Sequence, residues 1–471
     1  MDTVQLSLIS HTNVGKTTLA RTLLRRDIGQ VLDQAHVTEV AEVHPLIETE
    51  DAQLLLWDTP GFGDTVRLMR RLRDLESPIG WFLAQVWDRV ADRPLWSSQQ
   101  AARNIQEKAD AVLYLVNASE QPAEAGYVRH ELDLLTWIGR PVMLLLNQTG
   151  TVAPGSEAAL RTVEAWRHHV AFWPIVGGVL SLDAFTRCWV QEGVLLERVS
   201  ALLPDAKRAV MDRLVAAWNR RNRQVFERSL DGMADYLARA ATDREALPSG
   251  RPDRADKKKA MTALGERLES DTQRLMDGLI ALHELEGRSA AVVEKRIDAY
   301  LVKGTTDLSV EQGALLGGAL SGAVGGLAAD MLAGGLTFGG GLVAGAILGA
   351  LSGAGLTRAH EMVKLRGEPA VSWSPAFLDE LARQVLLRYL AVAHFGRGRG
   401  RFEDREHPEH WRRAVDQALA AASGDLTGAW RDAQTTGESA VLAPRLRRIL
   451  ASTLGTILRQ AYPASGSVLG R

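Results

Sequence analysis

The sequence predicts a three-layer α/β domain with a mostly parallel sheet, followed by a mainly α-helical region that holds a Gly-rich apolar hairpin. Three observations carry this. Nearly continuous apolar runs alternate with helical or loop segments over the first part of the chain, the pattern of parallel strands covered on both faces. From Pro204 onward the apolar residues recur at spacings of three and four, the period of a helix. Residues 313–357 then carry one ionisable side chain, Asp330, among fifteen glycines.

The expected strands are Val4–Ile9, Val37–Ile47, Gln53–Trp57, Ala111–Val116 and Pro141–Leu146. Behind the first lies Ser10-His11-Thr12-Asn13-Val14-Gly15-Lys16-Thr17-Thr18, and Leu19–Leu24 continues it with helical periodicity. Strand, tight loop and helix start are the setting of a phosphate-binding loop. The firm part is Gly15-Lys16-Thr17; Ser10 stands at the first Gly of the G-x-x-x-x-G-K-[ST] pattern. Such a loop wraps polyphosphate with backbone N–H groups, places Lys16 on the β/γ oxygens and offers the Thr17 hydroxyl to Mg²⁺. Asn13, Val14, Gly15, Lys16, Thr17 and Thr18 are therefore candidate nucleotide-binding residues. The third run ends in Asp58-Thr59-Pro60-Gly61. This suits a carboxylate holding Mg²⁺ through water while the Gly61 N–H approaches the γ-phosphate; the plain alternative is a Pro-Gly turn closing a strand.

A length of 471 residues implies two or three domains. A net charge of -2 excludes general affinity for nucleic acid, so no nucleic-acid partner is expected. Cys188 is the single cysteine, which excludes a disulfide framework and suits a small core hydrophobe in a reducing compartment. Met1–Gln5 show no basic region followed by an apolar stretch, so the expectation is a cytoplasmic chain.

Asn13-Val14-Gly15-Lys16-Thr17 and Asp58-Thr59-Pro60-Gly61 resemble the first and third motifs of the translation-factor-like P-loop GTPases, in the branch containing Era and the tRNA-modifying GTPase MnmE. The resemblance implies a GTP/GDP site with Mg²⁺ on Thr17, Thr38 and Asp58. Thr38 matches the switch I threonine, and Lys16, Thr38 and Gly61 form the implied catalytic set. Asn13 stands where potassium-dependent members bind K⁺. Phe62 stands where Ras-type proteins carry a water-orienting glutamine, which implies the hydrophobic-substituted class. The fourth motif departs: the family's Asn-Lys-x-Asp is Asn147-Gln148-Thr149-Gly150, leaving the guanine-reading carboxylate to another residue. Asp183, in Ser181-Leu182-Asp183-Ala184, is the candidate, although capping preferences favour reading it as a helix N-terminal residue.

The expected division is residues 1–203 as the Era-like domain, with 63–108 as an extended switch II insertion, then helical segments 204–312 and 358–471 flanking the hairpin at 313–357. The insertion combines Arg67, Arg70, Arg71 and Arg73 with Ile79, Trp81, Phe82 and Trp87, and either faces a partner or a membrane or packs on its own domain. Thr242–Lys259, with its Pro-rich stretch and three lysines, reads as a loop, Gly396–Arg401 as another, and Ser465-Gly466-Ser467 as a frayed tail. His394, His407 and His410 lack metal-like spacing. Gly318, Gly322 and Gly326, then Gly341, Gly345, Gly349 and Gly353, repeat at intervals of four, the small-residue row by which helices touch in lipid. That hairpin reads as a membrane insertion with both ends inside, contacting the inner face of the cell membrane or a membrane-protein partner, or as a buried Gly/Ala pair; an oligomer stays open. The whole order resembles a bacterial family of GTPases with a C-terminal domain of unknown function, DUF3482. It implies a membrane-associated nucleotide switch with slow GTP hydrolysis, or a pseudo-GTPase scaffold with little or none.

Overall fold

A computed structural model describes residues 1–12, 14–25, 41–72, 78–84, 92–150, 152–184, 188–249, 252–285, 360–365, 368–395 and 409–469. The chain forms two compact units: residues 1–223 with 394–408 and 458–471, and residues 224–393 with 409–457.

The first unit is built on a six-stranded sheet of β1 (Asp2–Ser10), β2 (Glu42–Glu48), β3 (Ala52–Asp58), β4 (Ala111–Asn117), β5 (Val142–Asn147) and β6 (Val176–Ser181), in the order β2-β3-β1-β4-β5-β6. Only β2 runs antiparallel, against β3. The alternation expected of strands buried on both faces is explicit in β4. Leu113 and Leu115 join the core on one side of the sheet, while Val112, Tyr114 and Val116 join the core on the other. Six helices cover these faces: α1 (Lys16–Leu24), α2 (Thr65–Leu72), α3 (Pro78–Ala84), α4 (Arg93–Lys108), α5 (Gly126–Ile138) and α6 (Glu157–Val170). α7 (Trp189–Leu202) and the first part of the 38-residue α8 (Asp205–Thr242) complete the layer against α1. The described part of the insertion packs on its own domain: Leu68, Met69, Leu72, Ile79 and Phe82 are all buried in the core shared with α5; Arg73 and Trp87 lie outside the described residues. Each such side chain contributes about 1.5–3 kcal/mol by leaving water.

The sixth strand was not expected from the sequence, because Gly177 and Gly178 interrupt its apolar run. Both are required by close neighbours. A Cβ on Gly177 would run into Leu202, and one on Gly178 would press on the Met143 sulfur at 3.2 Å. The tail is not frayed either. α13 (Gly466–Leu469) buries Val468, whose carbonyl accepts from Arg223 at 3.0 Å, and Ser467 donates to Glu197 at 2.6 Å.

The second unit is mainly helical: the rest of α8, α9 (Arg254–Leu282), α10 (Pro375–Ala393), α11 (Glu409–Thr436) and most of α12 (Ser439–Ala461). Two expectations are corrected. Thr242–Lys259 is no continuous loop, since β7 (Arg244–Ala246) is a strand and the three lysines lie in the first turns of α9, begun by an Asp253–Asp256 capping box. Nor is 358–471 wholly helical, because β9 (Glu368–Trp373) lies between β7 and β8 (His360–Leu365) in an antiparallel sheet. Leu264, Leu275, Leu378, Leu381 and Val385 are buried here. The apolar hairpin 313–357, Gly396–Arg401 and His407 lie outside the described residues. Among the described residues no helix is long and apolar enough to cross a membrane, and no group of three or more His, Cys, Asp or Glu could hold a metal ion.

Burial pushes the His410 imidazole on α11 down from 6.5 to about 4. The unfolded chain therefore takes this proton first, and stability is lost as pH falls from about 6.5 toward 4. The expected result is a urea midpoint that drops between pH 7 and pH 5 in the wild type and drops less in His410→Phe. Equal drops in both proteins would exclude the imidazole as a source.

Candidate functional site

The site lies at the carboxyl ends of β1, β3 and β5, where ligands sit in open α/β sheets. β1 pairs with β3 so that Leu8 faces Asp58, which places the end of the third run beside the start of the phosphate loop. Gly15, the N-cap of α1, has φ 95°. Only glycine adopts this without strain, and a Cβ there would also meet Asn147 Nδ2 at 2.9 Å. α1 therefore begins at Lys16, with its N-terminus open toward the loop.

Three side chains converge here. The Lys16 ammonium is buried and donates to Ser10 Oγ at 3.2 Å. Burial pushes its pKa down, against the opposing pull of Asp58 and Glu131. Thr17 Oγ1 donates to Asp58 Oδ2 at 2.8 Å. Asp58 is held above the ordinary carboxylate range, chiefly by burial, with Lys16 and Thr17 acting the other way. Its second oxygen, Oδ1, is buried with no hydrogen-bond partner among the described residues. A hydroxyl and a carboxylate within one hydrogen bond, with one oxygen unsatisfied, are the hard donors that Mg²⁺ takes, so these residues fit the ion.

The loop after Asp58 is folded against the phosphate loop. Thr59 Oγ1 donates to Leu8 O at 2.6 Å, Phe62 N to Ser10 O at 2.9 Å, and Gly63 N to Ser98 Oγ at 2.9 Å. Gly61 lies so close to Lys16 that a Cβ would stand 3.0 Å from Nζ. Phe62 is fully buried among Ile9, Val112 and Leu132, so its ring packs in the core rather than toward a reacting water. Val14 and Thr18 are buried. Asn13 and Thr38 lie outside the described residues.

On the base side, Asn147 is fully buried and ties two loops together. Its Nδ2 donates to Val14 O at 2.7 Å, and its Oδ1 accepts from Ala184 N at 2.9 Å. Gly150 has φ 67°, and a Cβ added there would meet nothing within 4 Å. The nearby carboxylate is Asp183, whose Oδ2 accepts from Thr149 N at 2.8 Å and from Thr149 Oγ1 at 3.0 Å. Asp183 is not the N-cap of α7, because that position belongs to Cys188.

The sequence reading missed His11, Tyr114 and Glu131, which form a polar cluster beneath the loop. Glu131 lies in an amphipathic helix where it reads as an ordinary polar position. The only available signal was a histidine inside the phosphate loop itself.

Residues 5–148 match a family described as 50S ribosome-binding GTPase, and residues 178–448 match one described as Domain of unknown function (DUF3482). Among solved structures the chain is similar to an Era variant from Aquifex aeolicus bound to GDP and AlF4⁻, at 18% identity over 44% of this chain and 58% of that one, with a TM-score of 0.32. It is also similar to Era in complex with MgGDPNP and nucleotides 1506–1542 of 16S ribosomal RNA, at 17% identity over 44% of this chain and 58% of that one, TM-score 0.33. A probable GTP-binding protein engB matches at 12% identity over 38% of this chain and 89% of that one, TM-score 0.24. The chain thus spans 58% of the length of the Era structures it matches. Matched by the DUF3482 model over more than half of its length, behind a segment that matches a GTPase family model, the chain belongs to the DUF3482 family.

Proposed function

We propose that the protein is a guanine-nucleotide switch whose first unit binds GTP with Mg²⁺ and hydrolyses it slowly. The observation that carries this is the convergence of Lys16, Thr17 and Asp58 at the N-terminus of α1, with Gly61 folded against Lys16. Lys16 and the loop N–H groups would hold the β/γ phosphates, Thr17 and Asp58 the Mg²⁺, and Thr38 and Gly61 the γ-phosphate. Held there, Mg²⁺ would supply charge neutralisation to the polyphosphate. Asn147 spaces the phosphate loop from the base-side loop, and Asp183 reads the base in place of Gly150. Hydrolysis would release the loops at Thr38 and Gly61, and the helical region would change its contacts.

Slow turnover follows from Phe62, which is buried and has no group to orient water. The same residue favours a second reading, a pseudo-GTPase scaffold with little or no hydrolysis. Asn13 would bind K⁺ by its place in the loop. Membrane association rests on the apolar stretch 313–357 followed by Arg358, Lys364 and Arg366, a positive flank suited to an inner leaflet.

Calorimetric titration of the full chain with GTP, GDP and ATP in Mg²⁺ tests the reading. GTP and GDP are expected to bind while ATP does not. Equal binding of all three would remove the guanine assignment, and no binding would remove the switch. Phosphate release in potassium and sodium buffers then separates a slow enzyme from a scaffold.

A further inference from the structure

Beneath the phosphate loop lies a polar cluster that holds no part of the proposed nucleotide contact. Glu131 of α5 is 0% exposed, and both its carboxylate oxygens are engaged. Oε1 is 2.7 Å from His11 Nδ1, within hydrogen-bond distance, and Oε2 accepts from the Tyr114 hydroxyl at 2.7 Å. The His11 ring stacks on Tyr127, with centroids 4.5 Å apart and planes 25° from parallel. Tyr127 donates in turn to Glu120 at 3.2 Å. Removing a carboxylate from water costs several kcal/mol unless such bonds replace the water, and the surrounding core of Ile9, Val112 and Leu132 is apolar. A space-filling role alone would be met more cheaply by leucine.

Every link in the cluster leads to His11. Its backbone is where β1 becomes the phosphate loop, and it forms a parallel bridge with Phe62. Its neighbour Ser10 accepts from Phe62 N through its carbonyl and from Lys16 through its hydroxyl. Fixing His11 therefore fixes the spacing between the phosphate loop and the Asp58–Phe62 loop. That spacing determines where the Gly61 N–H stands relative to Lys16.

We infer that Glu131 is a positioning residue which, by holding His11, sets the third-motif loop against the phosphate loop and so governs the γ-phosphate side of the site. The inference rests on the proposed nucleotide function. It predicts an effect on GTP that is not shared by GDP, because only the γ-phosphate reaches Gly61. A purely structural cluster predicts equal effects on both.

The experiment uses the full chain and the variants His11→Phe, Glu131→Ala, their double mutant and Glu131→Gln. Phenylalanine keeps the stack on Tyr127 and removes the hydrogen bond. The readouts are GTP and GDP affinity with fluorescent analogues, and the thermal midpoint. Tyr236→Phe, which removes a buried hydrogen bond to Thr272 in the second unit, is the control for stability alone. The expected result is a GTP-over-GDP affinity ratio lowered about tenfold in His11→Phe and in Glu131→Ala, a typical size for coupling between sites. The double mutant is expected to lose no more than the larger single effect, because both break one connection. Glutamine still accepts from Tyr114 and meets His11 with an N–H, so Glu131→Gln should keep the ratio within about twofold of wild type. Equal losses for GTP and GDP that follow the thermal midpoint, as in Tyr236→Phe, would overturn the inference, and so would additive effects. A wild-type chain that binds neither nucleotide overturns the nucleotide reading itself, a result distinct from both.

Discussion

Lys16→Ala will weaken binding of both GTP and GDP by roughly 10²-fold or more, the scale of losing one partner from a buried charge cluster. The ammonium donates to Ser10 Oγ and is buried, so bulk water screens it little. Its removal acts twice. The β/γ oxygens would lose their direct counter-charge, and Asp58 would lose the largest of the influences that lower its pKa. Burial then meets less opposition and holds the Asp58 carboxyl higher, which disfavours the ionised form that Mg²⁺ takes. Affinity for nucleotide and affinity for Mg²⁺ should therefore fall together. Thermal melting is an independent check, since a ligand that binds only the folded chain raises the midpoint by mass action. Wild type should show a rise with GTP and Mg²⁺ and the variant none. A variant that binds both nucleotides normally would remove Lys16 from the phosphate site, and the switch reading with it.

The features legible in the sequence are those in which chemistry and backbone are fixed locally. Gly15 must be glycine because of its left-handed φ, Lys16 and Thr17 follow it into the helix, and Asp58 closes a strand whose apolar residues announce it. The five expected strands are all present, the second beginning at Glu42 rather than Val37, with residues 37–40 outside the described residues. The missed features depend on partners far away in the chain. β6 is hidden by two glycines whose reason is Leu202 and Met143. β7 has three residues, and it pairs with β9 more than a hundred positions away, so no local periodicity could reveal either. Val468 reads as a tail residue until Gly193 and Arg223 are brought to it. Glu131 is a polar residue in a helix until its burial is known, and only then does its carboxylate need an explanation. Asp183 stands between these cases. Its residue type is visible in the sequence, but its place after β6 and its two bonds to Thr149 are not.

Those bonds make Asp183→Asn the most informative change on the base side, with an expected switch of preference from guanine to xanthine. Guanine presents two donors on one edge, N1–H and the exocyclic amine, and an ionised carboxylate is an acceptor with four lone-pair sites. Thr149 takes two of these on Oδ2, so the group keeps acceptor capacity while its orientation is fixed. Adenine would set its own N1 lone pair against the carboxylate and be rejected. Xanthine carries a carbonyl where guanine has the amine, and an asparagine amide can donate to that carbonyl while accepting from N1–H. One bidentate pair is worth about 1–3 kcal/mol of discrimination, so wild type should prefer GTP over XTP by ~10²-fold and the variant should reverse the order. Competition calorimetry with GTP, XTP and ATP decides it. If Asp183→Asn binds GTP as wild type does, the carboxylate anchors Thr149 and leaves the base alone. Gly150, with open space where a side chain would stand, would then mark a site that has given up reading the base by a carboxylate.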